Sequence, residues 1–103
     1  MSVLIEYSIF PTDKGESVSS YVSRVIDMIR KSGYPYKFTA MGTIVETATI
    51  REAMELVAKS YDLLEVDCNR VYASIKLDIR KGKDNRLEGK IKSVKEKIGQ
   101  VRT

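Results

Sequence analysis

The sequence predicts an α+β fold in which one four-stranded antiparallel sheet carries two helices on one face. Segments with the two-residue period of strands and segments with the 3.6-residue period of helices alternate along the chain. Their order is strand, helix, strand, strand, helix, strand, and a further helix follows. A chain of 103 residues has room for one hydrophobic core. We therefore expect a single domain over residues 1–103.

The first strand is predicted at Val3–Phe10, which ends before Pro11. One face of this strand is apolar: Val3, Ile5, Tyr7 and Ile9. The other face is mixed: Leu4, Glu6, Ser8 and Phe10. The mixed face indicates that neither side of the strand is simply solvated.

The first helix is predicted within Lys14–Gly33. Its apolar residues recur at helical spacing and form one stripe: Val18, Tyr21, Val22, Val25, Met28 and Ile29. Ser17 is the expected N-cap, and Gly33 is the expected residue just beyond the C-cap. This stripe predicts a helix that packs on the core.

A hairpin is predicted next, with arms at Tyr36–Ala40 and Thr43–Ala48. Its turn is expected at Met41 and Gly42, because glycine accepts a positive φ angle. The second arm places Glu46 in the middle of a strand. A carboxylate there is solvated, paired with another group, or engaged with a ligand.

A capping box at Thr49 and Glu52 predicts the start of the second helix, with its apolar stripe at Ile50, Ala53, Met54, Val57, Tyr61 and Leu64. Strict alternation over Arg70–Arg80 predicts a half-buried last strand with Val71, Ala73, Ile75, Leu77 and Ile79 on one face. A narrow apolar seam predicts the final helix: Ile91, Val94, Ile98 and Val101.

This element order is that of the ferredoxin-like βαββαβ sandwich, with Val3–Phe10 and Thr43–Ala48 as its central strands. Its two helices cover one face of the sheet, and we call the other face the open face. The open face mixes charged and apolar residues and requires water or a partner. Because exposed apolar patches on small domains often mark assembly sites, we expect a homodimer or homotetramer.

Composition excludes several kinds of site. The chain has no histidine and one cysteine, Cys68, so neither a transition-metal site nor histidine-based catalysis is expected. No apolar run is long enough to span a membrane. The N-terminus shows no signal peptide, and the single cysteine fits a reducing compartment, so we expect a cytoplasmic protein.

Charge is distributed unevenly along the chain. Residues 1–79 carry 9 basic and 11 acidic side chains, whereas residues 80–103 carry 9 basic and 3 acidic ones. A basic tail is typical of nucleic-acid binding or of a solvated helix face.

Two interpretations of the open face follow from the residues alone. In the first, Glu46 and Asp78 are acceptors in a ligand pocket, with hydroxyl groups from Ser8 and Thr43 and stacking surfaces from Tyr36, Tyr72 or Phe10. Such groups suit a flat, amino-bearing heterocycle. In the second, Lys76 or Arg80 forms cross-strand ion pairs with Glu6, Glu46 or Asp78.

Four segments, taken together and in order, resemble the small thiamine-binding protein family: Ser8–Pro11, Met41–Glu46, Ser74–Arg80 and Gly89–Val94. The resemblance implies a ferredoxin-like fold, assembly as dimers or tetramers, and thiamine or its hydroxymethylpyrimidine part held near a subunit boundary. It implies no catalytic activity and no cofactor. The ligand-binding positions that it implies are Ser8, Gly42, Thr43, Glu46, Lys76, Asp78 and Arg80.

Two other functions are open to this fold. RNA binding would use the basic tail and exposed aromatic residues, but the RNA-recognition signature is missing from Arg70–Arg80. An acylphosphatase-like hydrolase would need an anion-binding loop after the first strand, and residues 11–15 do not supply one. The sequence therefore favours a non-enzymatic binding protein for thiamine or a related pyrimidine.

Overall fold

The computed structural model describes residues 1–103 and contains one sheet and three helices. The elements are β1 (Ser2–Pro11), α1 (Ser19–Lys31), β2 (Tyr36–Thr39), β3 (Gly42–Thr47), α2 (Ile50–Glu65), β4 (Val71–Arg80) and α3 (Arg86–Ile98). The strands are antiparallel and lie in the order β2-β3-β1-β4. This arrangement confirms the predicted ferredoxin-like fold, with β1 and β3 at its centre.

The core lies between the sheet and the helices α1 and α2. It contains the alternate residues of β1 that were predicted to face inward, and Val3 and Ile5 are completely buried. On the same face, the hydroxyl groups of Tyr7 and Ser60 are joined by a hydrogen bond of 2.9 Å. This bond ties the central strand to α2 within an otherwise apolar core.

Two of the helix-end features predicted from the sequence are confirmed, and one is wrong. The amide of Glu52 donates to the side chain of Thr49 at 3.1 Å, and the carboxylate of Glu52 accepts from the Thr49 amide at 3.0 Å, which confirms the capping box. The predicted cap at Ser17 is wrong, because the N-cap of α1 is Val18 and no side chain caps this helix. At the other end, Gly33 follows the C-cap with a φ angle of +86°, as predicted.

The hairpin turns one residue earlier than predicted. Thr39 lies opposite Gly42, so Ala40 and Met41 form the turn and Gly42 is the first residue of β3. The Thr39 side chain holds this turn, since it accepts from the Met41 amide and donates to the Gly42 carbonyl. Gly42 has no positive φ angle, so the predicted reason for this glycine is wrong.

β4 is an edge strand that is more exposed than predicted. On the side that carries α1 and α2, Ile75, Leu77 and Ile79 remain 38%, 41% and 50% exposed. The register places them opposite Tyr7, Ile5 and Val3, which are buried. The row on β4 is thus only partly covered, whereas the centre of the sheet is buried under the helices.

α3 lies on the open face, where it covers the region around Glu46. The helix contacts β1 and β3, and Glu88 pairs with Lys37 of β2 at 3.5 Å. Part of the face that the sequence analysis left to water or a partner is thus covered by the chain itself. The predicted seam is too long by one residue, because α3 ends at Ile98 and Val101 lies beyond it.

None of the helices is both long and apolar enough to cross a bilayer.

Candidate functional site

The seven predicted site residues lie in two separate places. Glu46 and Asp78 contact the start of α3, and Lys76 and Arg80 lie on either side of Asp78 along β4. Ser8, Gly42 and Thr43 line a cavity beside the second half of β1. The structure therefore does not bring all seven together in one pocket.

Glu46 is the anchor for the N-terminus of α3. One carboxylate oxygen accepts from the Ser2 hydroxyl at 2.6 Å and from the Arg86 amide at 2.9 Å. The other accepts from the Leu87 amide at 3.1 Å. The residue is only 8% exposed, so its hydrogen bonds are made within the chain.

These hydrogen bonds determine the charge state of Glu46. Burial by itself would raise the pKa of this carboxyl group. The bonds from Ser2 and from the amides of Arg86 and Leu87 stabilise the charged form more strongly, so the pKa is lowered from its ordinary value. The positive end of the α3 dipole acts in the same direction. Glu46 is thus a buried anion held by a helix terminus.

Arg86 is the second buried charge in this region, and sequence reasoning missed it. Its guanidinium donates to the Ser2 carbonyl at 2.8 Å and forms an ion pair with the Asp78 carboxylate at 3.0 Å. Lys90 also pairs with Asp78, at 2.8 Å. The hydrogen bond from Lys90, followed by that from Arg86, lowers the pKa of Asp78. The Asp78 carboxylate therefore serves as a clamp between β4 and α3.

The remaining charges of β4 are partly accounted for by cross-strand pairing. Lys76 forms an ion pair with Glu6 at 2.9 Å, one of the pairings anticipated from the sequence. Arg80 lies at the exposed end of β4 opposite Ser2. This side of the sheet thus uses most of its charge for internal contacts.

A cavity of about 340 Å³ lies between α1 and the hairpin. This volume is at the lower end of the range of small-molecule sites, roughly 300–1,000 Å³. The lining comprises 15 residues, of which 11 are hydrophobic and none is charged. α1 contributes Val22 and Ile26, and β1 contributes Tyr7 to Phe10. The cavity thus combines apolar walls with a few polar groups from Ser8, Thr39 and Thr43.

The cavity exists because the strands differ in length. Pairing of β1 with β3 ends at Tyr7 and Thr43, whereas pairing of β1 with β4 continues to Pro11 and Val71. From Ser8 onward, β1 therefore has a strand partner on one side only. Backbone amide and carbonyl groups on the other side are available as hydrogen-bonding groups along the cavity.

Large apolar side chains surround the cavity. Phe38 and Met41, which line it from the hairpin, are 60% and 87% exposed. Phe10 also lines it and contacts Tyr72 on the open face, with ring centroids 5.8 Å apart. Two of the three predicted aromatic residues, Phe10 and Tyr72, thus meet, whereas Tyr36 packs against the core.

Neither a metal site nor an activated thiol is present in the structure. No group of three or more metal-ligating side chains is assembled. Cys68 is buried, and burial followed by the neighbouring Asp67 raises the pKa of its thiol. Such a thiol is a poor nucleophile.

Comparisons with known proteins identify relatives over most of the chain. A UPF0045 protein of Methanocaldococcus jannaschii is 36% identical over 94 residues, which cover 91% of this chain and 93% of that protein. A UPF0045 protein of Methanothermobacter thermautotrophicus is 37% identical over 83 residues, or 80% and 84% of the two chains. The similarity therefore extends along nearly the full length of both relatives.

Solved structures show the same fold. The crystal structure of the M. jannaschii hypothetical protein matches with a TM-score of 0.82 at 36% identity, covering 92% of this chain and 97% of that one. A Thermotoga maritima protein, described as a candidate for thiamine biosynthesis or salvage, matches with a TM-score of 0.78 at 21% identity. That match covers 91% of this chain and 99% of the other, and at this identity it supports the fold alone.

The family model described as thiamine-binding protein matches residues 5–95, a range that contains both the cavity and the Glu46 anchor. This match confirms the resemblance found in the sequence. The chain belongs to the thiamine-binding protein family.

Proposed function

We propose that this protein binds thiamine or a related pyrimidine in the cavity beside β1 and does not transform it. The observation that carries the proposal is an uncharged, mainly apolar cavity of about 340 Å³ in a chain of the thiamine-binding protein family. The absence of charge from the cavity lining selects which part of the ligand enters. Burial of a cation without a counter-charge is costly. The neutral aminopyrimidine therefore enters, and the cationic thiazolium ring stays at the mouth.

Polar recognition is assigned to the unpaired edge of β1 and to nearby hydroxyl groups. An aminopyrimidine has donors and acceptors on one flat edge, which match the amide and carbonyl groups of a strand that lacks a neighbour. Ser8 and Thr43 add hydroxyl groups, and Gly42 lines the cavity at the start of β3. Phe10 and Phe38 offer aromatic surfaces to the ring.

Calorimetry with a cavity-filling variant tests this placement. Val22 lines the cavity from α1, so Val22→Phe is expected to occupy the ligand volume and to weaken binding of thiamine and of hydroxymethylpyrimidine at least tenfold. Val57→Phe on α2 is the matched control, because Val57 also packs against the core but does not line the cavity. Equal affinity for thiamine in the two folded variants would exclude the cavity.

The ligand role predicted for Glu46, Lys76, Asp78 and Arg80 stays a prediction. Glu46→Gln separates it from the anchoring role. A binding role predicts a loss of about 1.5–3 kcal/mol in binding free energy, the range for a hydrogen bond to a charged group. Unchanged affinity in calorimetry would leave Glu46 with its role at α3 alone.

The proposal also covers the oligomeric state and the cellular location of the protein. We expect a non-enzymatic, cytoplasmic homodimer or homotetramer that requires no cofactor. The single reduced, buried Cys68 supports the location, and the apolar row exposed on β4 supports assembly.

RNA binding is the alternative function, and one observation favours it. Tyr72, paired with Phe10, presents a 59% exposed aromatic side chain on the open face, on the strand that also carries Lys76. Stacking of a base on Tyr72 predicts salt-dependent binding of single-stranded RNA that Tyr72→Ala abolishes. Lack of binding at low salt would exclude this alternative.

A further inference from the structure

The side chain of Tyr7 joins the cavity to α2. Tyr7 lines the cavity between α1 and the hairpin, yet it is only 3% exposed. Its hydroxyl group forms a hydrogen bond of 2.9 Å with the hydroxyl group of Ser60 on α2. No residue of α2 lines the cavity. The hydroxyl end of Tyr7 therefore points away from the cavity, and the rest of the residue contributes to the wall.

The direction of these hydrogen bonds follows from the neighbours of Ser60. Ser60 is completely buried, and its hydroxyl group donates to the Leu56 carbonyl at 2.7 Å. A hydroxyl group has one proton to donate. Ser60 uses this proton for Leu56, so its oxygen accepts from the Tyr7 hydroxyl. Donation therefore runs from Tyr7 to Ser60 and from Ser60 to the backbone of α2.

The Tyr7 hydroxyl depends on Ser60, because it has no other hydrogen-bond partner in the chain. Burial raises the pKa of Tyr7, so the phenol keeps its proton and needs an acceptor. The buried cluster that contains Tyr7 otherwise consists of apolar side chains and Cys68. A buried hydroxyl group that loses its acceptor is costly. The cavity carries the hydroxyl groups of Ser8 and Thr43, so it is the space beside Tyr7 where a displaced phenol can find new partners.

We propose that Ser60 is a positioning residue for the ligand cavity, because it holds the Tyr7 hydroxyl within the core and so keeps the cavity open. The cavity volume of about 340 Å³ leaves little spare room for a small molecule. A phenol turned into this space would displace part of the ligand. The inference rests on the proposed function, and it specifies a residue outside the cavity lining on which the affinity depends.

Loss of the acceptor gives the first test. Ser60→Ala leaves the Tyr7 hydroxyl without its partner, so the phenol is expected to turn into the cavity and to weaken binding of thiamine and of hydroxymethylpyrimidine about tenfold. Tyr7→Phe is the matched control, since it removes the hydroxyl group but keeps the ring. Ser60 retains its bond to Leu56 in this control, so no buried hydroxyl lacks a partner and the affinity is expected to change by less than about twofold. Calorimetry measures both affinities.

The double variant separates positioning from a general loss of stability. When Ser60→Ala is combined with Tyr7→Phe, no hydroxyl group remains to be displaced. The ring is then expected to stay in the core, and the affinity is expected to return to within about twofold of the wild type. A role in stability alone predicts that the second substitution adds to the loss instead of cancelling it. Ser60→Cys supplies a weaker acceptor and gives the same comparison if Ser60→Ala does not fold.

Xenon gives a readout of the cavity that needs no thiamine. Xenon enters apolar cavities, and NMR shifts of the methyl groups of Val25 and Ile29, which line this cavity, report its binding. Xenon binding is expected to be about tenfold weaker in Ser60→Ala than in the wild type and to recover in the double variant. Val22→Phe, in which the new ring fills the cavity, is the control for an occupied site.

Each result decides the inference. A loss of binding in Ser60→Ala that Tyr7→Phe reverses, with thiamine and with xenon, supports it. Wild-type affinity in Ser60→Ala, or a double variant that binds either probe no more tightly than Ser60→Ala, overturns it. If the wild type does not bind thiamine, the proposed function fails and the xenon series alone decides the role of Ser60. Thiamine binding by the wild type without rescue in the double variant would contradict the positioning role and leave the proposed function standing.

Discussion

A single carboxylate, Glu46, joins three distant segments of this chain: the N-terminal strand through Ser2, β3, and the first turn of α3. α3 begins after Asn85, which adopts a left-handed conformation with a φ angle of 58° and provides no side-chain cap. The first amides of a helix need acceptors from elsewhere when its own N-cap supplies none. Glu46 provides them from a neighbouring strand.

Glu46→Gln is expected to destabilise the protein at pH 7 by about 1–3 kcal/mol, because it removes a charge-assisted acceptor from two buried amides. The comparison is made by urea denaturation of the wild type and of the variant. Asp84→Asn, near the same turn but exposed, is the control and is expected to have little effect.

The stability difference between wild type and Glu46→Gln should depend on pH. Since the pKa of Glu46 is lowered in the folded state, its contribution is fully present above the ordinary value of 4.5 and is lost as pH falls through the lower folded value. Denaturation between pH 7 and pH 3 should therefore show the two proteins converging only below about pH 4.5. A constant difference across this range would contradict a buried carboxylate at this position.

The sequence could identify Glu46 as unusual but could not identify its partners. A carboxylate within a strand indicates either a partner within the chain or a ligand. Which of the two it has depends on residues 40 positions away. Arg86 gave no signal at all, because it belongs to a basic segment that is ordinarily solvated. Its burial becomes evident only when α3 is placed against Ser2 and Asp78.

At the scale of helices and strands, a cap formed by nearby side chains could be predicted from the sequence, whereas the burial of a strand could not. The capping box of α2 needs only Thr49 and Glu52, so the sequence identified it. The start of α1 at Val18 uses backbone bonds alone, so the nearby Ser17 was misleading. The alternation in β4 correctly separated its two faces, but burial depends on how far α1 and α2 extend across the sheet.

The glycines at helix and strand ends give a paired test. Gly33→Ala is expected to destabilise by about 1–2 kcal/mol, because alanine is strained at a φ angle of +86°. Gly42→Ala is expected to change stability by less than about 1 kcal/mol. Its new Cβ would lie 3.4 Å from the Tyr7 carbonyl oxygen, an ordinary contact, and φ is not positive there. Thermal denaturation of both variants measures the difference, and equal losses would contradict the revised turn.

The whole molecule is less compact than is usual for a domain of this length. Its Cα radius of gyration is 14.9 Å, compared with about 13 Å for a compact domain of this length. α3 is tied to the sheet near its start by Glu46, Asp78 and Leu87. Further along the helix, Val94 and Ile98 are 47% and 73% exposed.

This difference along α3 predicts a gradient in amide exchange. Amides of residues 94–98 should exchange much faster than those of β1, because the end of the helix has few tertiary contacts to stabilise it. Hydrogen exchange followed by mass spectrometry at low protein concentration measures the gradient. Protection of residues 94–98 equal to that of β1 would show instead that another surface covers this end.

The order of elements was sufficient to predict the topology of the whole molecule, whereas the cavity was not predictable. The cavity depends on where the pairing of β1 with β3 ends, at Tyr7 and Thr43. The hairpin was predicted one residue too far along the chain, with its turn at Met41 and Gly42 instead of Ala40 and Met41, and nothing in the sequence marks the point where β3 stops pairing with β1.

That gap has a consequence for how the protein could accommodate a guest. It lies where β1 has no neighbouring strand on one side, and under the proposed function a molecule would enter it between α1 and the hairpin. The guest would take the place of the missing residues of the shorter strand. Occupancy would then fill the gap beside β1 and make the bound form more rigid than the empty one.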